Sequence, residues 1–77
     1  MQVVKQGTII GLTKDFTGLI KQDDPNCKNL KFQRSDFVDG QNIESLKVDD
    51  RVEYFEEEET NAARHIIVVF QMNFIEG

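Results

Sequence analysis

Lys14, Lys21, Lys31 and Arg34 stand in the first half of a 77-residue chain, at spacings that two neighbouring strands could gather into one strip. Such a strip has a definite chemistry. Each cation that neutralises a phosphate releases condensed counterions, and a guanidinium plane can also stack on bases. Charge is distributed unevenly along the chain. Residues 1–34 carry six Lys or Arg against three acids, residues 35–77 carry three against eleven, and the formal net charge is −5. A net acidic domain is not a general nucleic-acid binder, because those are usually basic. Asymmetry between halves points instead to one side that faces a polyanion.

The remaining reactive side chains do not assemble into a catalytic pattern. Cys27 is the single cysteine, and the cation beside it, Lys28, would favour its thiolate, but no base or oxyanion donor accompanies it. His65 is the single histidine, so no zinc pattern exists, and Asp23-Asp24 and Asp49-Asp50 read as turn residues. The sequence contains no phosphate-cradling glycine loop and no nucleophile elbow. A binding module is expected rather than an enzyme, with no metal and no cofactor. No run approaches the ~18 apolar residues of a membrane span, and the first residues lack the apolar stretch of a signal peptide. The expected setting is cytoplasmic, with no membrane partner.

The chain reads as five strands with almost no helix, the pattern of a small barrel or sandwich. Val3 to Thr13 is a long first strand rich in β-branched residues, with Gly7 and Gly11 marking a bulge or a close backbone approach. Lys14-Asp15 makes a tight turn into a second strand, Phe16 to Lys21. Gln22-Asp23-Asp24-Pro25-Asn26 is the strongest turn signal. Asn29 to Arg34 alternates Leu30 and Phe32 with Lys31 and Gln33, as a half-buried strand does. Ser35 is placed to cap one helical or 3₁₀ turn. The connection that follows is anchored by Ile43 and Leu46. Arg51 to Glu57 puts Val52 and Tyr54 on one face and Phe55 on the other. Glu56 to Glu59 is an acidic run of the solvated kind, and Ala62 to Phe74 forms the fifth strand. One domain spans residues 1–77.

These segments resemble a cold-shock domain over residues 5–69, leaving 70–77 as a C-terminal extension. The residues that carry the resemblance are Gly7-Thr8-Ile9, Lys14-Asp15-Phe16-Thr17-Gly18-Leu19-Ile20 and Asn29-Leu30-Lys31-Phe32-Gln33-Arg34-Ser35, followed by Leu46, Asp50-Arg51-Val52-Glu53-Tyr54 and Ala63-Arg64-His65-Ile66. The resemblance implies an all-β, five-stranded antiparallel OB-type barrel that stacks single-stranded nucleic acid on surface aromatics. Most of those aromatics are absent from this chain. Gly11 and Leu12 stand where the family has an exposed tryptophan-phenylalanine pair, and either Phe16 or Thr17 takes a stacking place. Lys31, Gln33 and Arg34 take the places of a phenylalanine, a histidine and a phenylalanine, while Phe32 faces the core.

The implied site is therefore Lys14, Phe16, Lys31, Gln33 and Arg34, engaging single-stranded RNA or DNA through charge more than stacking. A base stacked on a ring contributes about 1–3 kcal/mol, so losing several rings leaves weak binding. The alternative is a protein-interaction or scaffold barrel that has lost nucleic-acid binding. Phe70, Met72 and Phe74 share one strand face, which is expected to extend the fifth strand or fold back to cap the barrel; left exposed, as that alternative has it, it would pair with a protein or with a second copy.

Overall fold

Period-two alternation of apolar residues gives a sheet one dry face, and in so short a chain that face is buried by closing the sheet on itself. The computed structural model describes residues 3–69. Five strands form the closed barrel: β1 (Lys5–Leu12), β2 (Gly18–Gln22), β3 (Leu30–Phe32), β4 (Arg51–Glu57) and β5 (Ala62–Val68). Their order around the barrel is β1-β2-β3-β5-β4, with β4 returning to β1. This is a small all-β barrel of the OB type. Its pairing is mixed rather than wholly antiparallel, because β3 meets β5 in parallel at Lys31 and Ala62. An odd number of strands makes this necessary, since five strands closed into a ring cannot alternate in direction at every seam. With the other four seams antiparallel, β5 runs in the same direction as β3.

The alternation assigns the core. Ile9, Ile20, Leu30, Val52, Tyr54 and Ile66 are almost wholly excluded from solvent, at least one from each strand. Phe32 and Phe37 meet edge to face below them, with ring centroids 5.4 Å apart. Tyr54 is buried with its polar tip satisfied, donating to Gln22 Oε1 at 3.0 Å. Gln22 in turn donates to the Lys28 carbonyl. Burial holds the Tyr54 phenol well above its ordinary value.

Several boundaries differ from the sequence expectation. β1 is shorter than Val3 to Thr13, and the bulge foreseen there is real, falling between Ile9 and Gly11. β2 begins at Gly18, because residues 13–17 form a turn closed by Thr13 and Thr17: the backbones bond at 2.9 Å and the hydroxyls at 2.7 Å. Gln22, assigned to the following loop, is the inward-facing last residue of β2. β3 stops at Phe32 because Gln33 turns away to cap a 3₁₀ turn, Arg34–Asp36. The cap is Gln33 rather than Ser35: Asp36 Oδ2 accepts the Gln33 N–H at 2.8 Å. A second 3₁₀ turn covers Ile43–Ser45. β5 ends at Val68, and the rest of the expected strand lies, past Val69, outside the described residues.

The gap left along β5 by so short a β3 is filled from the connection. Phe37 bridges Ile66 in parallel, and the Val38 N–H reaches the Ile66 carbonyl at 3.0 Å. The Gln41 side chain then behaves as a strand would. Its Nε2 donates to the Ile66 carbonyl at 2.7 Å, and its Oε1 accepts the Val68 N–H at 2.6 Å.

Candidate nucleic-acid interface

Residues paired across a sheet point to the same side, so register decides which side chains share a surface. Gly11 pairs with Leu19, and Leu19 pairs with Lys31. Leu19 is 40% exposed and Lys31 is exposed, so these three positions form an outward row across β1, β2 and β3. The neighbouring row, Leu12, Gly18 and Phe32, faces inward. Of the two positions where the resemblance places surface aromatics on the first strand, Gly11 therefore faces solvent and Leu12 packs against the core. Lys21 lies two residues beyond Leu19, on the same side and opposite Thr8.

The five expected site residues gather at one end of this row. Lys14 is exposed in the 13–17 turn. Phe16 occupies the left-handed region at φ 60°, an uncommon conformation for a side chain of its size. Its ring is half-buried against the core and lies 5.2 Å beneath the Arg34 guanidinium carbon, within cation–π range. Thr17 is exposed but bonded to Thr13. Neither residue is an open aromatic platform; the stacking surface here is the Arg34 plane on top of Phe16. Gln33 and Arg34 lie past the end of β3 and border a groove of about 670 Å³, shared with Asp15 and Asp39. The alternation missed Ile10 and Leu19, which add exposed aliphatic surface beside the cations. Their signal was the bulge at Ile10 and the position of Leu19 opposite Lys31.

The cations fall into two groups. Lys5 binds Glu56 at 2.6 Å, Lys47 binds Asp50 at 3.2 Å, Arg51 binds Asp23 at 2.6 Å, and Arg64 binds Asp36 at 2.5 Å and Glu57 at 3.3 Å. Lys14, Lys21, Lys28, Lys31 and Arg34 have no carboxylate within ion-pair distance among the described residues. All five belong to the β1–β2 turn, to β2, or to β3 and its flanks. Cys27, beside Lys28, is not activated: partial burial and then Asp24 push its thiol up.

The paired groups set an acid dependence for the fold. Arg51 holds the Asp23 carboxyl below its usual range. A carboxylate lowered by folding contributes stability above its unfolded value, about 3.9, and that contribution is lost as pH falls through the folded value. Asp23→Asn should therefore cost up to about 1 kcal/mol at pH 7, the limit for a half-exposed pair, and almost nothing near pH 2. Urea titrations at the two pH values check this.

Among the described residues no helix is long and apolar enough to cross a membrane, and no cluster of three His, Cys, Asp or Glu could hold a metal ion. Phe70, Met72 and Phe74 lie outside the described residues. No protein-family model matches the chain, and no curated protein matches it in sequence.

Proposed function

We propose that this chain is a cold-shock-like nucleic-acid-binding module, acting in the cytoplasm without catalysis or cofactor. It holds single-stranded RNA or DNA weakly through Lys14, Phe16, Lys31, Gln33 and Arg34. The observation that carries this reading is the sorting of the cations. Four are spent on ion pairs within the fold, while the five without partners among the described residues all lie on β2, on β3 or in the segments that flank them. Unpaired cations on two strands and the turns that flank them are free to neutralise phosphates, and Arg34 on Phe16 adds one stacking plane.

The test is a fluorescence-anisotropy titration of short labelled RNA and DNA across roughly 50 to 200 mM salt. Three or four phosphate contacts to a single strand predict a slope of log affinity against log salt of about −2 to −3. Lys31→Glu or Arg34→Glu should each weaken binding and make the slope shallower by about 0.7. Absence of binding at about 100 µM protein and low salt overturns the reading, since even non-specific contacts reach that range. A protein-docking role would then be favoured by a different observation: Val3 and Val4 leading into β1, and Ile67 on β5, are large apolar side chains left open to solvent.

A further inference from the structure

We propose that the acidic turn between β4 and β5 is the selectivity element of this site: Glu58 and Glu59 repel a second phosphate backbone, so that a single strand is accepted and a duplex refused. The inference rests on the nucleic-acid reading above and adds residues that lie outside its binding strip.

The geometry begins at the seam between β3 and β5. The Lys31 N–H donates to the Asn61 carbonyl at 2.8 Å, and Lys31 pairs with Ala62. The turn that delivers Asn61 is thus fixed beside Lys31, the cation at the β3 end of the outward row. Lys31 and Gln33 on one bank and Thr60 on the other border a depression of about 330 Å³. Within the acidic run, Glu56 is held by Lys5 and Glu57 by Arg64 and Thr60. Glu58 and Glu59 are exposed and have no cation within ion-pair distance among the described residues. Beside them, Arg64 is shared between Asp36 and Glu57, two carboxylates on one guanidinium. The β2 side of Lys31 is therefore positive and the β5 side is negative.

A single strand has one backbone and can follow the cations along β2 and β3 without crossing the seam. A duplex carries its second backbone across a groove about 6 or 12 Å wide. Displaced toward β5, that backbone meets Glu58 and Glu59. Displaced toward β1, it meets Thr8, Ile10 and Gly11, which carry no charge to hold it. Either placement leaves a duplex with only the contacts of one strand, and the first adds repulsion.

The test compares wild type with E58Q/E59Q, using a labelled single-stranded oligonucleotide and the duplex of the same sequence at about 50 mM salt. Single-strand affinity should rise about twofold at most, since exposed charges that do not touch the strand are largely screened by salt. Duplex affinity should rise about tenfold, because its second backbone lies against the two glutamates themselves. Glu53→Gln makes a charge change of the same kind on β4, with β1 between it and β2, and should leave the single-strand/duplex ratio unchanged. An equal rise for both ligands, or no rise, overturns the selectivity role while leaving the binding site itself standing. Failure of both proteins to bind either ligand overturns the underlying reading, and this one with it.

Discussion

Gly18→Ala should cost the barrel about 3 kcal/mol or more, at the upper end of what overpacking does. A Cβ at Gly18 would collide with the Gly11 carbonyl oxygen and lie 2.8 Å from Phe32 Cζ and 2.9 Å from the Gly11 carbonyl carbon. The Gly11 carbonyl belongs to the backbone of β1 at its bulge, so it cannot step aside without breaking the β1–β2 pairing. Phe32 is a core ring held edge to face against Phe37. A domain of this size has roughly 4–11 kcal/mol of stability in total, so the loss removes a large share of it. Gly11→Ala is the matched comparison. A Cβ there meets nothing within 4 Å, and the substitution should be neutral or stabilising by up to about 1 kcal/mol. Urea unfolding of the two variants measures the difference. A Gly18→Ala loss below about 1 kcal/mol would show that β1 and β2 are not this close.

Gly11→Trp should tighten single-strand binding by about tenfold, within the 1–3 kcal/mol that one stacked base contributes. The site is prepared for it: the position is sterically open and points outward in the row with Leu19 and Lys31. It is also where the resemblance places a surface aromatic. No charge changes, so the salt slope should stay where it is while affinity rises. The chain has no other tryptophan, so quenching of the new indole emission on titration would report a base on the ring directly. Unchanged affinity and unquenched emission would mean that the ligand does not cross this row, and the binding path would have to be redrawn.

The sequence was most readable where side-chain alternation and burial agree. Leu30 and Phe32 against Lys31, and Val52 and Tyr54 against Phe55, placed β3 and β4 correctly around the core, and Gly7 with Gly11 announced the bulge. Alternation fails at β5, where Ala62 and Ala63 are both buried and His65 takes φ 51° at an irregularity opposite Glu53 and Phe55. The parallel seam carries no local signal, because it is fixed by the closure of five strands into one ring. The role of Gln41 is invisible for the same reason, since a glutamine in a polar stretch reads as solvated. At the site, the residue types were legible and their arrangement was not. Phe16 belongs to a turn rather than a strand because Thr13 and Thr17 close that turn around it, and only then does Arg34 come to lie over its ring.

The seams of the barrel differ in how far apart along the chain their partners lie. β1, β2 and β3 form a meander of near neighbours, and the outward row Gly11, Leu19 and Lys31 lies wholly within it. β1 with β4 and β3 with β5 join residues far apart along the chain, Lys5 with Tyr54 and Lys31 with Ala62, and such contacts carry the larger loop-closure entropy. The cation-bearing surface and the acidic turn beside it therefore belong to different stages of assembly. On a ribosome, the meander with its excess of Lys and Arg emerges before the glutamates that border it, and only closure of the seam at Lys31 and Asn61 brings the two signs of charge together.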